Sequence, residues 1–101
     1  MKRSLLWTLR ARRDLVAIRR YIAHDHPEAA RKWIERLRAR ALAAAGSPLA
    51  GRRVPEIERD DLREVIVGAY RIVYRVLTES IHVLCVFEGH RSFPRDAIRP
   101  S

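Results

Sequence analysis

The side chains of this chain that could perform acid, base or phosphate chemistry lie in its second half. His90 stands between Gly89 and Arg91, and a histidine titrates close to neutral pH, so it could give or take a proton. A histidine in such a turn is also commonly only solvated. Arg71 and Arg75, two residues apart, could hold a phosphate or form ion pairs within a sheet. The carboxylates available for such pairs are Glu64, Glu79 and Glu88.

Glu56, directly after Pro55, is the remaining candidate. Its carboxylate could serve as a base, or it could only tie a loop to an arginine such as Arg63. His24 and His26 fall at a break between two helical segments, where we expect them to face solvent. The histidines lack cysteine or carboxylate partners at ligand spacing, so the sequence predicts no metal site and no cofactor.

These candidates are positioned by three bursts of β-branched and aromatic residues, at 62–67, 70–77 and 81–87. Gly68-Ala69 separates the first two bursts, and Thr78-Glu79-Ser80 separates the last two. Short turn segments between such bursts predict hairpins. Because connections this short force neighbouring strands to be antiparallel, the sequence predicts a three-stranded meander.

Strand periodicity predicts which residues share a face of this meander. On the middle strand one face carries Tyr70, Ile72, Tyr74 and Val76, and the other carries Arg71, Val73, Arg75 and Leu77. On the third strand one face carries Ile81, Val83, Cys85 and Phe87, and the other carries Leu84 and Val86. A strand that is apolar on both sides needs cover on both sides. We expect helices on one side and a further layer or a partner on the other, with Cys85, the single cysteine, as a small core residue.

The first half of the chain predicts a strand and two helices. Residues 3–8 form a short apolar run that ends at Thr8, a good N-cap, and we interpret it as a strand that joins the sheet. Apolar residues then recur at helical spacing from Leu9 to about Asp25, and again from Pro27 to about Ala45. Because the link is so short, the two helices should form an antiparallel hairpin on the sheet. Residues 49–61 are expected to form a surface loop.

Composition restricts the class of protein. The chain has 101 residues, 48% of them hydrophobic and 33% charged, which predicts one folded domain spanning residues 1–101. Its apolar runs are shorter than a membrane span and too short for a signal peptide, so we expect a cytoplasmic protein. The net charge is +9, and only Lys2 and Lys32 of the 21 basic residues are lysines. Such a charge favours a polyanion or an acidic protein as a partner.

The order of these elements resembles the RelE/ParE superfamily, the toxins of type II toxin–antitoxin modules. The resemblance rests on GRRVPE before the sheet, LRE at its opening, GAYRIVYRV in the middle strand and GHR after the last strand. It covers nearly the whole chain and implies an α+β fold of order β-α-α-β-β-β, with the helical hairpin packed on a four-stranded, mainly antiparallel sheet. RelE-like members are ribosome-dependent, metal-free mRNA endonucleases, whereas ParE-like members bind DNA gyrase and trap it on cleaved DNA. The superfamily therefore implies a toxin but leaves its target open.

The resemblance implies a candidate nuclease site. Cleavage of RNA by its own 2′-hydroxyl needs a base, cations around the phosphate and an acid for the leaving oxygen. Arg71 and Arg91 match the two arginines of the RelE-type set, and some ribosome-dependent relatives use a glutamate as the base. If the side chains converge, the catalytic residues would be Glu56, Arg71, His90 and Arg91.

Other positions depart from the nuclease pattern. Leu62 and Glu64 stand where RelE-like nucleases carry two lysines. Near the C-terminus, where those nucleases carry a tyrosine or a histidine and a tyrosine, this chain has Ala97, Ile98 and Arg99. These departures favour the ParE-like branch, a non-enzymatic gyrase inhibitor. The cationic candidates for target binding are then Arg71, Arg91 and Arg95.

The resemblance also implies an antitoxin that holds the toxin inactive in a hetero-oligomer. Apolar residues on both faces of the sheet, open edge strands and a positive charge would suit an acidic segment that wraps the domain and folds on binding. Self-association would be another way to cover the surplus apolar surface. The predicted partners are thus the antitoxin and gyrase, with the ribosome and mRNA in place of gyrase for a nuclease.

Overall fold

Two helices pack on one face of a mixed five-stranded sheet in the computed structural model, which describes residues 2–98. The strands are β1 (Ser4–Trp7), β2 (Arg52–Arg53), β3 (Leu62–Val67), β4 (Tyr70–Val76) and β5 (Ser80–Glu88), and the helices are α1 (Leu9–Ala23) and α2 (Pro27–Gly46). Single 3₁₀ turns follow at Pro48–Ala50 and Arg95–Ala97. The strand order is β1-β5-β4-β3-β2, which confirms the predicted α+β order. The sheet has one strand more than predicted, because Arg52 and Arg53 pair with β3.

The N-terminal strand is joined to α1 by Thr8. β1 pairs with β5 in parallel, from Ser4 opposite Ser80 to Trp7 opposite Val83. The Thr8 hydroxyl accepts a hydrogen bond from the backbone N–H of Ala11, as expected of an N-cap, and it also donates to the Val83 carbonyl at 2.8 Å. Thr8 therefore starts the helix and attaches it to the edge of β5.

The helical hairpin follows the predicted pattern. The buried residues of the two helices recur at three and four residues and form the main core with the sheet: Ala11, Leu15, Ile34, Leu37, Ala41 and Ala44. Pro27 begins α2, as the predicted helix break requires. Within residues 2–98 neither helix is long and apolar enough to cross a membrane.

A β-bulge in β5 changes the predicted faces of that strand. Val73 of β4 pairs with Cys85, but the next residue, Tyr74, pairs with Val83, so Leu84 is an extra residue in β5. Ile81 and Val83 therefore face the helices, as predicted, while Cys85 and Phe87 face the other way. The prediction that these four residues share one face was wrong, because the bulge shifts the alternation by one position.

The face of the sheet opposite the helices is covered by the chain itself. Val54, Ile57, Phe93, Ala97 and Ile98 pack there on side chains of the strands. Val54 is fully buried, so the predicted surface loop in fact contributes to the core. The expectation that this face needs a further layer or a partner is met by a further layer, which the β2–β3 loop and the tail after β5 supply. The thiol of Cys85 is buried here, as predicted, and burial raises its pKa to about 12.

Gly68 in the β3–β4 turn should be intolerant of substitution. Its φ angle is +57°, and a Cβ at this position would lie 2.6 Å from the Trp33 ring. We expect Gly68→Ala to lower the free energy of unfolding by about 2 kcal/mol, because it adds backbone strain to a steric clash. Gly46 is the matched control, since a Cβ there meets nothing within 4 Å, and Gly46→Ala should be neutral or slightly stabilising. Urea denaturation followed by tryptophan fluorescence measures the free energy of unfolding of both variants. If Gly68→Ala were as stable as Gly46→Ala, the turn would not require glycine at position 68.

Candidate functional site

Arg71 lies at the centre of a buried polar network on the sheet face opposite the helices. It is 7% exposed, and its Nε and Nη2 donate to Oε1 of Glu64 at 2.8 and 2.6 Å. The Glu64 side chain is fully buried, and its other carboxylate oxygen accepts from Nε of Arg52. Glu64 lies two residues from the direct cross-strand partner of Arg71, a diagonal position within reach of a long side chain. Arg71 is thus ion-paired within its own sheet, one of the two alternatives that the sequence left open.

Glu56 closes the network from the β2–β3 loop. Nη1 and Nη2 of Arg71 donate to the two oxygens of Glu56 at 2.8 and 2.7 Å, a bidentate pair. One alternative from the sequence was that Glu56 ties its loop to an arginine such as Arg63. It does tie the loop down, but to Arg71, whereas Arg63 donates to the carbonyls of Asp60 and Gly51.

Two aromatic rings enclose the Arg71 guanidinium. The Cζ atom of Arg71 lies 5.0 Å from the centroid of the Phe87 ring and 5.5 Å from that of the Phe93 ring. The two rings meet edge to face. Phe93 belongs to the segment after β5, so this segment covers the network. With two carboxylates bonded and two rings packed against it, Arg71 has little capacity left for a phosphate.

The same contacts alter the acidity of Glu56. Hydrogen bonds from Arg71 are the main cause, and they lower the pKa of the Glu56 carboxyl to about 2, although desolvation acts in the opposite direction. The two carboxylates in turn raise the pKa of Arg71. A carboxylate with a pKa near 2 is a weak base at neutral pH, which makes Glu56 poorly suited to remove a proton from a 2′-hydroxyl.

The depressed pKa of Glu56 predicts how stability depends on pH. Since the folded-state pKa lies below the ordinary value of 4.5, the stabilisation from this pair is complete above about pH 5 and is lost as the pH falls toward 2. We expect Glu56→Gln to cost about 1 kcal/mol at pH 7, because the side chain is partly solvated. The difference from the wild type should shrink as the pH falls to 2 and disappear below it.

The matched control for this prediction is Glu58→Gln in the same loop. The Glu58 side chain forms no ion pair within residues 2–98, although the backbone carbonyl of Glu58 accepts from Arg53. Urea denaturation of the three proteins from pH 7 to pH 2 measures the effect. A Glu56→Gln variant as stable as Glu58→Gln at pH 7 would contradict the role of the pair.

Two members of the four-residue nuclease set, Glu56 and Arg71, are in direct contact. Within residues 2–98 neither His90 nor Arg91 forms an ion pair with the Glu56 carboxylate. His90 is largely exposed, and its Nε2 lies 2.6 Å from Oε1 of Glu88. Arg91 lines an open groove of about 520 Å³ between α1 and the end of β5, together with Arg10, Tyr21 and Tyr70.

The remaining candidates lie apart or outside the described residues. Arg95 is exposed, and its Nη2 approaches the Glu56 backbone carbonyl at 3.4 Å. Ala97 and Ile98 cover the sheet face, and Arg99 lies outside the described residues. Of the three cations proposed for target binding, Arg71 is therefore enclosed, whereas Arg91 and Arg95 are accessible.

Most of the unpaired positive charge lies on the helices. Residues 9–46 contain ten basic and four acidic residues, whereas the rest of the chain contains eleven and eight. Every arginine from 52 to 71 bonds a carboxylate or a backbone carbonyl, and Arg75 lies 3.9 Å from Asp61. On the hairpin only Arg10 and Arg31 form ion pairs within residues 2–98. The positive field of the protein therefore originates mainly from the helical face.

An open groove of about 650 Å³ runs between α1 and α2 on this face. Its apolar residues are Trp7, Leu15, Val16 and Ile34, and its charged residues are Arg12, Arg19, Arg31, Glu35 and Arg38. Two arginines on each helix stand seven residues apart, which is two turns or about 10 Å. The groove thus combines an apolar floor with a basic rim. Sequence analysis missed it because the two rows of arginines meet only when the helices pack.

Comparison with known proteins places the chain in a family. Residues 5–93 match the model of the ParE toxin of the type II toxin–antitoxin system parDE. The chain is 38% identical to Toxin RelE2 of Caulobacter vibrioides over 89 residues, which cover 87% of this chain and 97% of that protein.

Two solved structures share the fold. A structure of the chromosomal ParDE toxin–antitoxin system of P. aeruginosa matches with a TM-score of 0.74 and 23% identity, over 86% of this chain and 96% of that chain. A mutant of the E. coli toxin RelE in the free state matches with a TM-score of 0.65 and 18% identity, over 91% of this chain and 88% of that chain. Together with the match over residues 5–93, these findings confirm the resemblance seen in the sequence. The chain belongs to the ParE toxin family of type II toxin–antitoxin systems.

Proposed function

We propose that this toxin acts in the cytoplasm by binding DNA gyrase and trapping it on cleaved DNA, and that it is not an enzyme. Membership of the ParE family supports this proposal. The nuclease alternative has support from relatives that carry the name RelE. The contacts of the candidate site residues help to choose between gyrase inhibition and RNA cleavage.

The observation that carries the proposal is that Arg71 uses four of its five N–H donors within the chain. A phosphate clamp must present free N–H donors to the substrate. Four hydrogen bonds from the Arg71 guanidinium already go to Glu56 and Glu64. A nuclease built on Glu56 and Arg71 would have to break this network before it could bind RNA.

A gyrase cleavage assay tests the proposal. Purified toxin, gyrase, supercoiled plasmid and ATP should give linear DNA after denaturation of the protein, and the antitoxin should suppress it. Unchanged gyrase activity in the presence of a folded, growth-inhibiting toxin would overturn the proposal. Cleavage of mRNA on translating ribosomes, abolished by Glu56→Gln, would then favour the nuclease.

The antitoxin of such a module should bind the groove between α1 and α2. The apolar floor suits the apolar stripe of an amphipathic helix, and the basic rim suits acidic residues on either side of that stripe. Arg12, Arg19 and Arg38 form no ion pair within residues 2–98, so their charges are free to meet such carboxylates. We therefore propose an acidic amphipathic helix of the antitoxin as the occupant of this groove.

A further inference from the structure

Four cations stand on the outer ridges of the helical hairpin, outside the groove. Arg13 and Arg20 lie on the side of α1 opposite its buried stripe, and Lys32 and Arg36 lie on the corresponding side of α2. All four are exposed, and none forms an ion pair within residues 2–98. The Arg36 guanidinium lies 4.8 Å from the centroid of the Trp33 ring, which restricts its position.

These ridges differ from both other charged surfaces of the molecule. On the sheet side Arg52, Arg53, Arg59 and Arg71 bond carboxylates of the same chain, so little of their charge is left for a ligand. The groove has an apolar floor, which a nucleic acid backbone would not cover well. The ridges instead present cations with no acidic residue paired to them. This is the arrangement that suits a polyanion rather than an amphipathic peptide.

We infer that the two outer ridges of the hairpin bind the phosphate backbone of duplex DNA. Arginine is well suited to this because its planar fork of donors can bond two phosphate oxygens at once. Contacts of this kind hold a protein on DNA without reading the sequence of bases. The ridges would allow the toxin to hold DNA while other surfaces meet its protein partners.

This DNA contact goes beyond the proposed action on gyrase and does not depend on it. A toxin that binds gyrase on DNA would gain a second anchor from the ridges. If gyrase is not the target, binding to naked DNA is still expected. The two proposals can therefore fail separately.

Fluorescence anisotropy with the full-length toxin and a short labelled DNA duplex tests the inference between about 50 and 200 mM salt. The ridge variant combines Arg13→Gln, Arg20→Gln, Lys32→Gln and Arg36→Gln. Loss of four phosphate contacts should reduce the magnitude of the slope of log K against log salt by about 3.6, and weaken binding at least about tenfold at the lower salt. Circular dichroism should show an unchanged fold, because the four side chains are exposed.

The matched control removes the same charge from positions outside the two helices, by Arg53→Gln, Arg59→Gln, Arg91→Gln and Arg95→Gln. All four of these residues are exposed. The control variant should keep most of the wild-type slope of log K against log salt and most of the wild-type affinity for DNA. Equal losses in both variants would mean that binding follows net charge alone, and they would overturn the inference.

A labelled poly-glutamate peptide distinguishes DNA from an acidic protein as the ligand of the ridges. If the ridge variant lost affinity for the peptide but kept its affinity for DNA, the ridges would be a protein-docking surface and the inference would be overturned. Absence of DNA binding by the wild type at the lower salt would overturn it as well.

Discussion

Replacing Arg71 with methionine should lower the free energy of unfolding by about 3–5 kcal/mol, the usual cost of breaking a buried ion pair from one side. Glu64 would lose its two hydrogen bonds from Arg71 and would remain fully buried with only Arg52 as a partner. Glu56 would lose its bidentate partner, but it can be solvated because it is partly exposed. The loss should therefore come mainly from Glu64.

A second substitution tests this explanation. In the Arg71→Met/Glu64→Leu double variant no buried carboxylate is left unpaired, so a large part of the stability should return. Urea denaturation of the wild type, the two single variants and the double variant gives the coupling energy between the residues.

Arg75 on the same strand is the matched control for Arg71. Among residues 2–98, its nearest carboxylate oxygen, on Asp61, is 3.9 Å away, and its buried Nε has no hydrogen-bond partner. We expect Arg75→Met to change the free energy of unfolding by less than about 1 kcal/mol, because it breaks no close ion pair. If Arg71→Met were as stable as Arg75→Met and had lost only its toxicity, Arg71 would be a target-binding residue and the structural role would be wrong.

Reversing two charges in the groove should separate the toxin from its antitoxin. We expect Arg12→Glu with Arg38→Glu to weaken antitoxin binding at least about 100-fold, because like charges that face each other across an interface cost several kcal/mol. Both side chains are exposed, so the fold should be retained. In cells the variant should still inhibit growth, but co-expression of the antitoxin should no longer restore it.

The ridges supply the control for the groove. Arg13→Glu with Arg20→Glu changes the net charge by the same amount on the same helical face, but outside the groove. This variant should bind DNA weakly and keep its antitoxin. If both double variants lost the antitoxin equally, long-range charge rather than the groove would explain the binding.

Much of the fold could be predicted because its signals are local. The apolar bursts separated by Gly68-Ala69 and by residues 78–80 predicted the meander, and Thr8 and Pro27 marked the starts of both helices. The bulge at Leu84 could not be predicted. It depends on how β5 pairs with β4, whereas the sequence itself continues the same alternation. The residues that cover the second face were missed for a similar reason, since Val54 and Phe93 become core residues only through distant contacts.

The candidate site was predictable in its residues but not in its contacts. The sequence identified Glu56 and Arg71 and named Glu64 as a possible partner of Arg71, yet it could not decide between an ion pair and a phosphate. That choice depends on the burial of Glu64 and on Phe87 and Phe93, which enclose the guanidinium only after folding. Local sequence does not contain this information.

The most direct test of the whole account is the amount of linear DNA that gyrase retains with wild-type toxin and with Glu56→Gln, compared at equal concentrations of folded protein. The proposed function and the structural role of Glu56 together predict equal, antitoxin-sensitive amounts of linear DNA. The absence of linear DNA with the wild type would contradict the proposed action on gyrase. Its loss in Glu56→Gln alone would contradict the purely structural role of Glu56.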